Sequence, residues 1–153
     1  MSKLYLTVCV RINPTPDQED MLWHLSDRCR LIYNFALAER IKAWPSGLRI
    51  RYVDQSRALP SIKQRYPEYG WVYSKVLQDA LRTLDMDFRS FLALRRRGHT
   101  EAMPPRFKGR HRFFTMVFNQ SGFRISDGNE ITLSQFFSGT PLAFKIPRLG
   151  CGY

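Results

Sequence analysis

A chain of 153 residues, 44% of them hydrophobic, is long enough to bury a core and short enough to hold only one or two domains. Its 24 Lys and Arg against 13 Asp and Glu leave a formal charge of +11, which points to a polyanionic partner, nucleic acid first. No apolar run approaches the ~20 residues of a membrane span and no signal-peptide core opens the chain, so a cytoplasmic location without membrane contact is expected.

Leu4, Leu6, Val8 and Val10 alternate with Tyr5, Thr7, Cys9 and Arg11, which predicts a strand over Lys3 to Ile12. Asn13-Pro14 ends it. Thr15, Pro16 and Gln18 then read as a capping box with proline at the first helical position, opening a helix to about Ala43. The buried stripe of that helix is Leu22, Leu25, Cys29, Ile32/Tyr33 and Ala36. A shorter helix is expected from Tyr52 to Tyr66, bent or split at Pro60. Ser74 should cap a third helix with Leu77, Leu81, Leu84, Phe88 and Phe91 on its apolar face, stopped by Arg95-Arg96-Arg97-Gly98. From Thr100 onward β-prone runs follow at Phe113–Phe118, Phe123–Ile125, Glu130–Leu133 and Leu142–Ile146, separated by Gly, Ser, Asn and Asp. The fold class is therefore α+β: a helical block, residues 13–103, inserted after the first strand of a small, incomplete antiparallel β-barrel made from residues 1–12 and 104–153.

The chemistry lies in the basic residues, 18 of which are arginine, the side chain that forks onto phosphates and stacks on bases. Lys75, Arg82, Arg89 and Arg96 recur every seven residues and so form one stripe on the third helix, away from its apolar face. Between Arg89 and Arg112 eight basic residues meet a single acid, Glu101. Within that stretch Arg106, Lys108 and Arg110 alternate with Phe107 and Gly109, a pattern that lets a loop lie against a phosphate backbone. Catalysis finds no such support. The acids are dispersed, no Ser/His/Asp arrangement or phosphate-binding glycine loop is present, and no cofactor is implied. Cys9, Cys29 and Cys151 are an odd number at long spacing and read as buried thiols, neither disulfide framework nor zinc site.

Five short segments in order carry a resemblance: Arg11-Ile12-Asn13-Pro14-Thr15; Arg30, Tyr33, Asn34 and Leu37 in Cys29–Leu37; Val76-Leu77-Gln78-Asp79-Ala80-Leu81; Pro105-Arg106-Phe107-Lys108; and Lys145-Ile146-Pro147-Arg148-Leu149-Gly150. Together they resemble the N-terminal part of the OrfB/TnpB transposon proteins, RNA-guided DNA nucleases related to type V CRISPR effectors. The resemblance implies a wedge-like β-barrel, a helical recognition lobe with a helix-turn-helix, and a grip on guide-type RNA and on double-stranded DNA next to the target. It also places Tyr52, Gln78, Asn119 and Gln120 at polar contacts to that DNA.

The family's RNase H-like nuclease domain would lie beyond Tyr153, so the expectation is a truncated, non-enzymatic fragment that binds nucleic acid through Tyr52, Lys75, Gln78, Arg82, Arg89, Arg96, Arg106, Lys108, Arg110, Asn119 and Gln120. Two alternatives stand beside it. One is half of a split nuclease completed by a separate catalytic chain, and the other is a general basic RNA-binding protein.

Overall fold

Thr15 opens the first helix, α1 (Pro16–Ala43), as the sequence predicts: its hydroxyl accepts from the Gln18 N–H at 3.2 Å, and the Gln18 side chain accepts from the Thr15 N–H at 2.9 Å. The computed structural model describes residues 2–5, 7, 9–126, 130–133 and 142–145. After α1 come a 3-10 turn at Trp44–Ser46 and two short helices, α2 (Tyr52–Arg57) and α3 (Leu59–Arg65). A second 3-10 turn, Pro67–Tyr69, leads to the long helix α4 (Ser74–Arg96).

The split in the middle helix falls at Ala58 rather than at Pro60. Proline lacks an N–H and clashes with the carbonyl four residues earlier, so it sits comfortably only in a first turn, and the break moves upstream to give it one. Ser74 does not cap α4, because it is the first helical residue and Tyr73 holds the cap position; its hydroxyl accepts from the Lys63 ammonium at 2.7 Å. Lys63 also donates to the Val72 carbonyl at 2.6 Å, tying α3 to the start of α4, and partial burial there lowers its pKa. Gly98 ends α4 at φ 93° in a Schellman arrangement: its N–H meets the Arg95 carbonyl and the His99 N–H meets that of Leu94, both at 3.1 Å.

The core is the seam between α1 and α4. Leu25, Cys29, Ile32, Tyr33, Ala36 and Leu37 of α1 are buried with Val76, Leu77, Ala80, Leu81, Leu84, Phe88 and Phe91 of α4, and Leu59, Val72 and Phe113 close it. Burial pushes the Cys29 thiol up to about 12, an inert sulfur, whereas Cys9 is exposed and corrects the expectation of buried thiols. Cys151 lies outside the described residues.

Three strands are described, β1 (Phe123–Ser126), β2 (Glu130–Leu133) and β3 (Leu142–Lys145), paired antiparallel in the order β1-β2-β3. Phe123 faces Leu133 in the first pair, and Leu133 faces Leu142 in the second. Among the described residues this is an open sheet, not a barrel. The described part of residues 2–12 forms no strand. Leu4 and Tyr5 are exposed there, and no described strand runs alongside to accept a ladder, which an alternating pattern needs before it becomes a strand. Phe113–Phe118 is not a strand either. Its first residue lies on α1, where Ser26 donates its hydroxyl to the Phe113 carbonyl and the Phe113 ring meets Tyr33 edge-on at 6.2 Å.

Candidate nucleic-acid interface

α4 is amphipathic, although Met86 and Leu94 are exposed on it. The buried side carries the Val76–Phe91 stripe, and Lys75, Arg82, Arg89 and Arg96 are all exposed on the opposite side. At 1.5 Å per residue they span roughly 32 Å. Gln78, half-buried, shares the face of Lys75 and Arg82 at three- and four-residue steps. Tyr52 of α2 joins them, because the Arg82 guanidinium lies 5.2 Å from the centre of its ring.

The basic loop is held beside this face by α1. Asn34 donates its amide to the Lys108 carbonyl at 2.9 Å and accepts from the Lys108 N–H at 2.8 Å, so one side chain satisfies a whole backbone unit. Arg30 reaches the same carbonyl at 3.4 Å. The Lys108 ammonium sits 5.4 Å over the Tyr33 ring, whose hydroxyl donates to Asp87 at 2.7 Å. Burial, then that bond to Asp87, raises the pKa of the Tyr33 phenol. Arg30, Tyr33 and Asn34, spaced as a motif in the sequence, thus all act on the loop residue Lys108. Arg106, Phe107 and Arg110 are left exposed on the solvent side. The loop then turns at Gly109–Arg112, where His111 takes φ 60° and stacks on Trp23 at 4.5 Å. A hollow of about 750 Å³ lies between this loop and α4, and Ser90 lines both it and a smaller hollow shared with Arg49, Arg89 and Arg96. The loop and the outer face of α4 therefore adjoin.

At the other end of α4, Asn119 is engaged by its neighbours. Its carbonyl oxygen accepts from the Tyr73 hydroxyl at 2.6 Å and from Ser121 at 2.8 Å, while the Tyr73 ring stacks on Phe118 at 6.1 Å. Gly122 is required under this hub, since a Cβ there would come within 2.5 Å of the Tyr73 ring. Gln120 is exposed beside it.

The residues that sequence reasoning passed over are Arg40, Gln55, Arg49 and Arg51. Arg40 is 3% exposed: its Nε donates to Gln55 at 2.9 Å, one terminal nitrogen donates to Asp85 at 3.0 Å, and its plane lies 5.7 Å from the Phe88 ring. Gln55 is oriented in turn by donating to the Ala36 carbonyl at 2.9 Å. The signal was present, because Arg40 is the next i+4 step of the buried stripe after Ala36, and a guanidinium at a core position demands partners. Arg51 binds the Asp54 carboxylate at 3.3 Å; a bond from its own backbone N–H, then its guanidinium, holds that carboxyl below the usual range.

Among the described residues, no three His, Cys, Asp or Glu side chains are grouped so as to hold a metal ion, and no helix is long and apolar enough to cross a membrane.

Residues 1–49, which contain α1 and the turn after it, match a helix-turn-helix domain family of the OrfB/IS605 type. Over 142 residues the chain is 33% identical to a Streptomyces pristinaespiralis protein named "Putative RNA-guided DNA endonuclease". That similarity covers 90% of this chain and 33% of the relative, so the chain spans about a third of the relative's length.

Proposed function

Because the chain belongs to the OrfB/TnpB family, we propose that it is a nucleic-acid-binding unit that grips guide-type RNA and target-adjacent double-stranded DNA without a nuclease centre of its own. The observation that carries this reading is the outer face of α4, where four cations stand opposite the buried stripe with the Arg106–Arg110 loop clamped alongside. Cations spaced along a rigid rod neutralise successive phosphates and release their counterions. In this reading Tyr52, Gln78, Asn119 and Gln120 add polar contacts, Tyr52 being packed against Arg82 and Asn119 bonded to Tyr73 just before α4.

Four of the described acids have structural partners, which favours binding without cleavage. Asp85 faces Arg40 and Arg89, Asp87 accepts from Tyr33, Asp27 pairs with Arg30, and Asp54 pairs with Arg51. Each of these carboxylates already serves a neighbour, whereas metal-assisted phosphodiester hydrolysis needs several to converge on ions.

The test is affinity for a fixed RNA or DNA duplex measured across a salt series, for the natural chain and for the triple variant Arg82→Ala, Arg89→Ala, Arg96→Ala. Losing three phosphate contacts should flatten the plot of log affinity against log salt by roughly two to three units. Added magnesium or manganese should leave the nucleic acid uncut. An unchanged slope rejects the α4 face as the binding surface, and metal-dependent cutting by the pure chain rejects the non-enzymatic reading.

A further inference from the structure

A cleft of about 540 Å³ opens between α4 and the segment that joins α1 to α2. Five arginines line it, Arg40, Arg49, Arg51, Arg89 and Arg96, and Asp85 is its one acid. Asp85 is shared between Arg40 at 3.0 Å and Arg89 at 3.8 Å, and Arg51 is held by Asp54. Arg49 and Arg96 make no ion pair among the described residues, so cationic charge is in excess around a concave, half-enclosed space. One terminal nitrogen of Arg40 is buried with no hydrogen-bond partner. Native structures seldom leave such a donor orphaned, and the loss is heavier for a charged group. Arg40 is also fixed in place by Gln55, Asp85 and Phe88, so its remaining edge is presented in one direction.

The walls are not purely cationic. Leu48 and Val53 line the same cleft while being 66% and 43% exposed. Cations around apolar side chains in a space of this size suit a ligand with an anionic end and a flat apolar body, and the volume is several times that of a bare phosphate and within the range of small-ligand sites. On the premise that the chain binds nucleic acid, we propose that this cleft takes one unpaired nucleotide, its phosphate against Arg49, Arg89 and Arg96 and its base against the Leu48 and Val53 side of the cleft. The site lies beside the α4 face, with Arg89 and Arg96 common to both, so a strand following α4 places an unstacked nucleotide at the cleft mouth. Single-stranded segments are recognised in this way, backbone on cations and base on an apolar surface.

The experiment compares two probes of equal phosphate count, a blunt duplex hairpin and the same hairpin carrying an unpaired internal segment, each made as RNA and as DNA to separate the two sources of the nucleotide. The double variant Arg49→Ala, Leu48→Ser touches only exposed side chains, and its thermal melt verifies that it folds. It should weaken binding of the probes with an unpaired segment by about tenfold or more while changing the blunt hairpins less than twofold. Photocrosslinking from a 5-iodouracil in the unpaired segment should label residues 44–53 or 88–96. Equal weakening of both probe types, or crosslinks only elsewhere, overturns the nucleotide cleft. If the double variant is silent while the α4 triple variant still flattens the salt slope, the cleft is wrong and the nucleic-acid reading stands. If both are silent, the α4 face is rejected together with the cleft, and a natural chain that binds none of the probes rejects the nucleic-acid reading itself.

Discussion

Asn34 shows how much one amide decides. Its oxygen and nitrogen pair with the N–H and C=O of Lys108 as a neighbouring strand would, and that pairing fixes where Arg106 and Arg110 project. A loop with four cations between residues 106 and 112 would otherwise be pushed from the protein by its own charge and by α4. Asn34→Ala removes both bonds and leaves the Lys108 carbonyl with the longer contact from Arg30 at 3.4 Å. We expect a loss of about 2 kcal/mol, lowering Tm by roughly 4–8 °C. The more specific readout is limited trypsin digestion with the first cut mapped by mass: in the variant it should move to the bonds after Arg106, Lys108 or Arg110. An unaltered first cut would mean that something other than Asn34 holds the loop.

At the scale of elements, the helices were legible because their signals are local. The Thr15/Gln18 box, the leucine–phenylalanine stripe of α4 and Gly98 each act within a turn or two of chain. The C-terminal stop gives a direct check. At φ 93° an alanine is strained, so Gly98→Ala should cost about 1 kcal/mol, visible as a lower denaturant midpoint at unchanged slope. No loss of stability would mean that the turn relaxes without its left-handed residue. What the sequence did not reveal depended on distant partners. Residues 113–118 look like a strand by composition, yet Phe113 is buried, Phe114 is 69% exposed, and Met116 and Phe118 are half-buried, a pattern set by packing on α1 and Tyr73. The candidate site divides the same way. The α4 stripe follows from a seven-residue period in one helix, whereas the arginine cleft gathers residues 40, 49, 51, 89 and 96 from separate elements, which no period records. Arg89 and Arg96 were read from that period and Arg40 continues the buried stripe of α1, whereas Arg49 and Arg51 carried no signal in the sequence.

For the whole molecule the question is whether its +11 charge is merely composition or is arranged by folding. Composition alone predicts that the unfolded chain, carrying the same charge, binds a polyanion about as well as the folded one does. In that case the polyanion would not shift the folding equilibrium, because ligand stabilises the native state only through preferential affinity for it. Folding, however, lines up Lys75, Arg82, Arg89 and Arg96 on one rigid face, clamps Lys108 through its backbone, and anchors Arg40 with Gln55 and Asp85. These cations are preorganised only in the folded state. A short oligonucleotide at about a hundred times its Kd should then stabilise the chain by up to about 2.7 kcal/mol at low salt, raising Tm by several degrees. The gain should fade as salt rises, because screening shortens the reach of each exposed charge to about 8 Å near physiological ionic strength. Thermal melts with and without oligonucleotide over a salt series decide the matter. An unchanged or lowered Tm at low salt would show that the unfolded chain binds as well or better, and the ordered cation face would lose its claim to be the recognition surface.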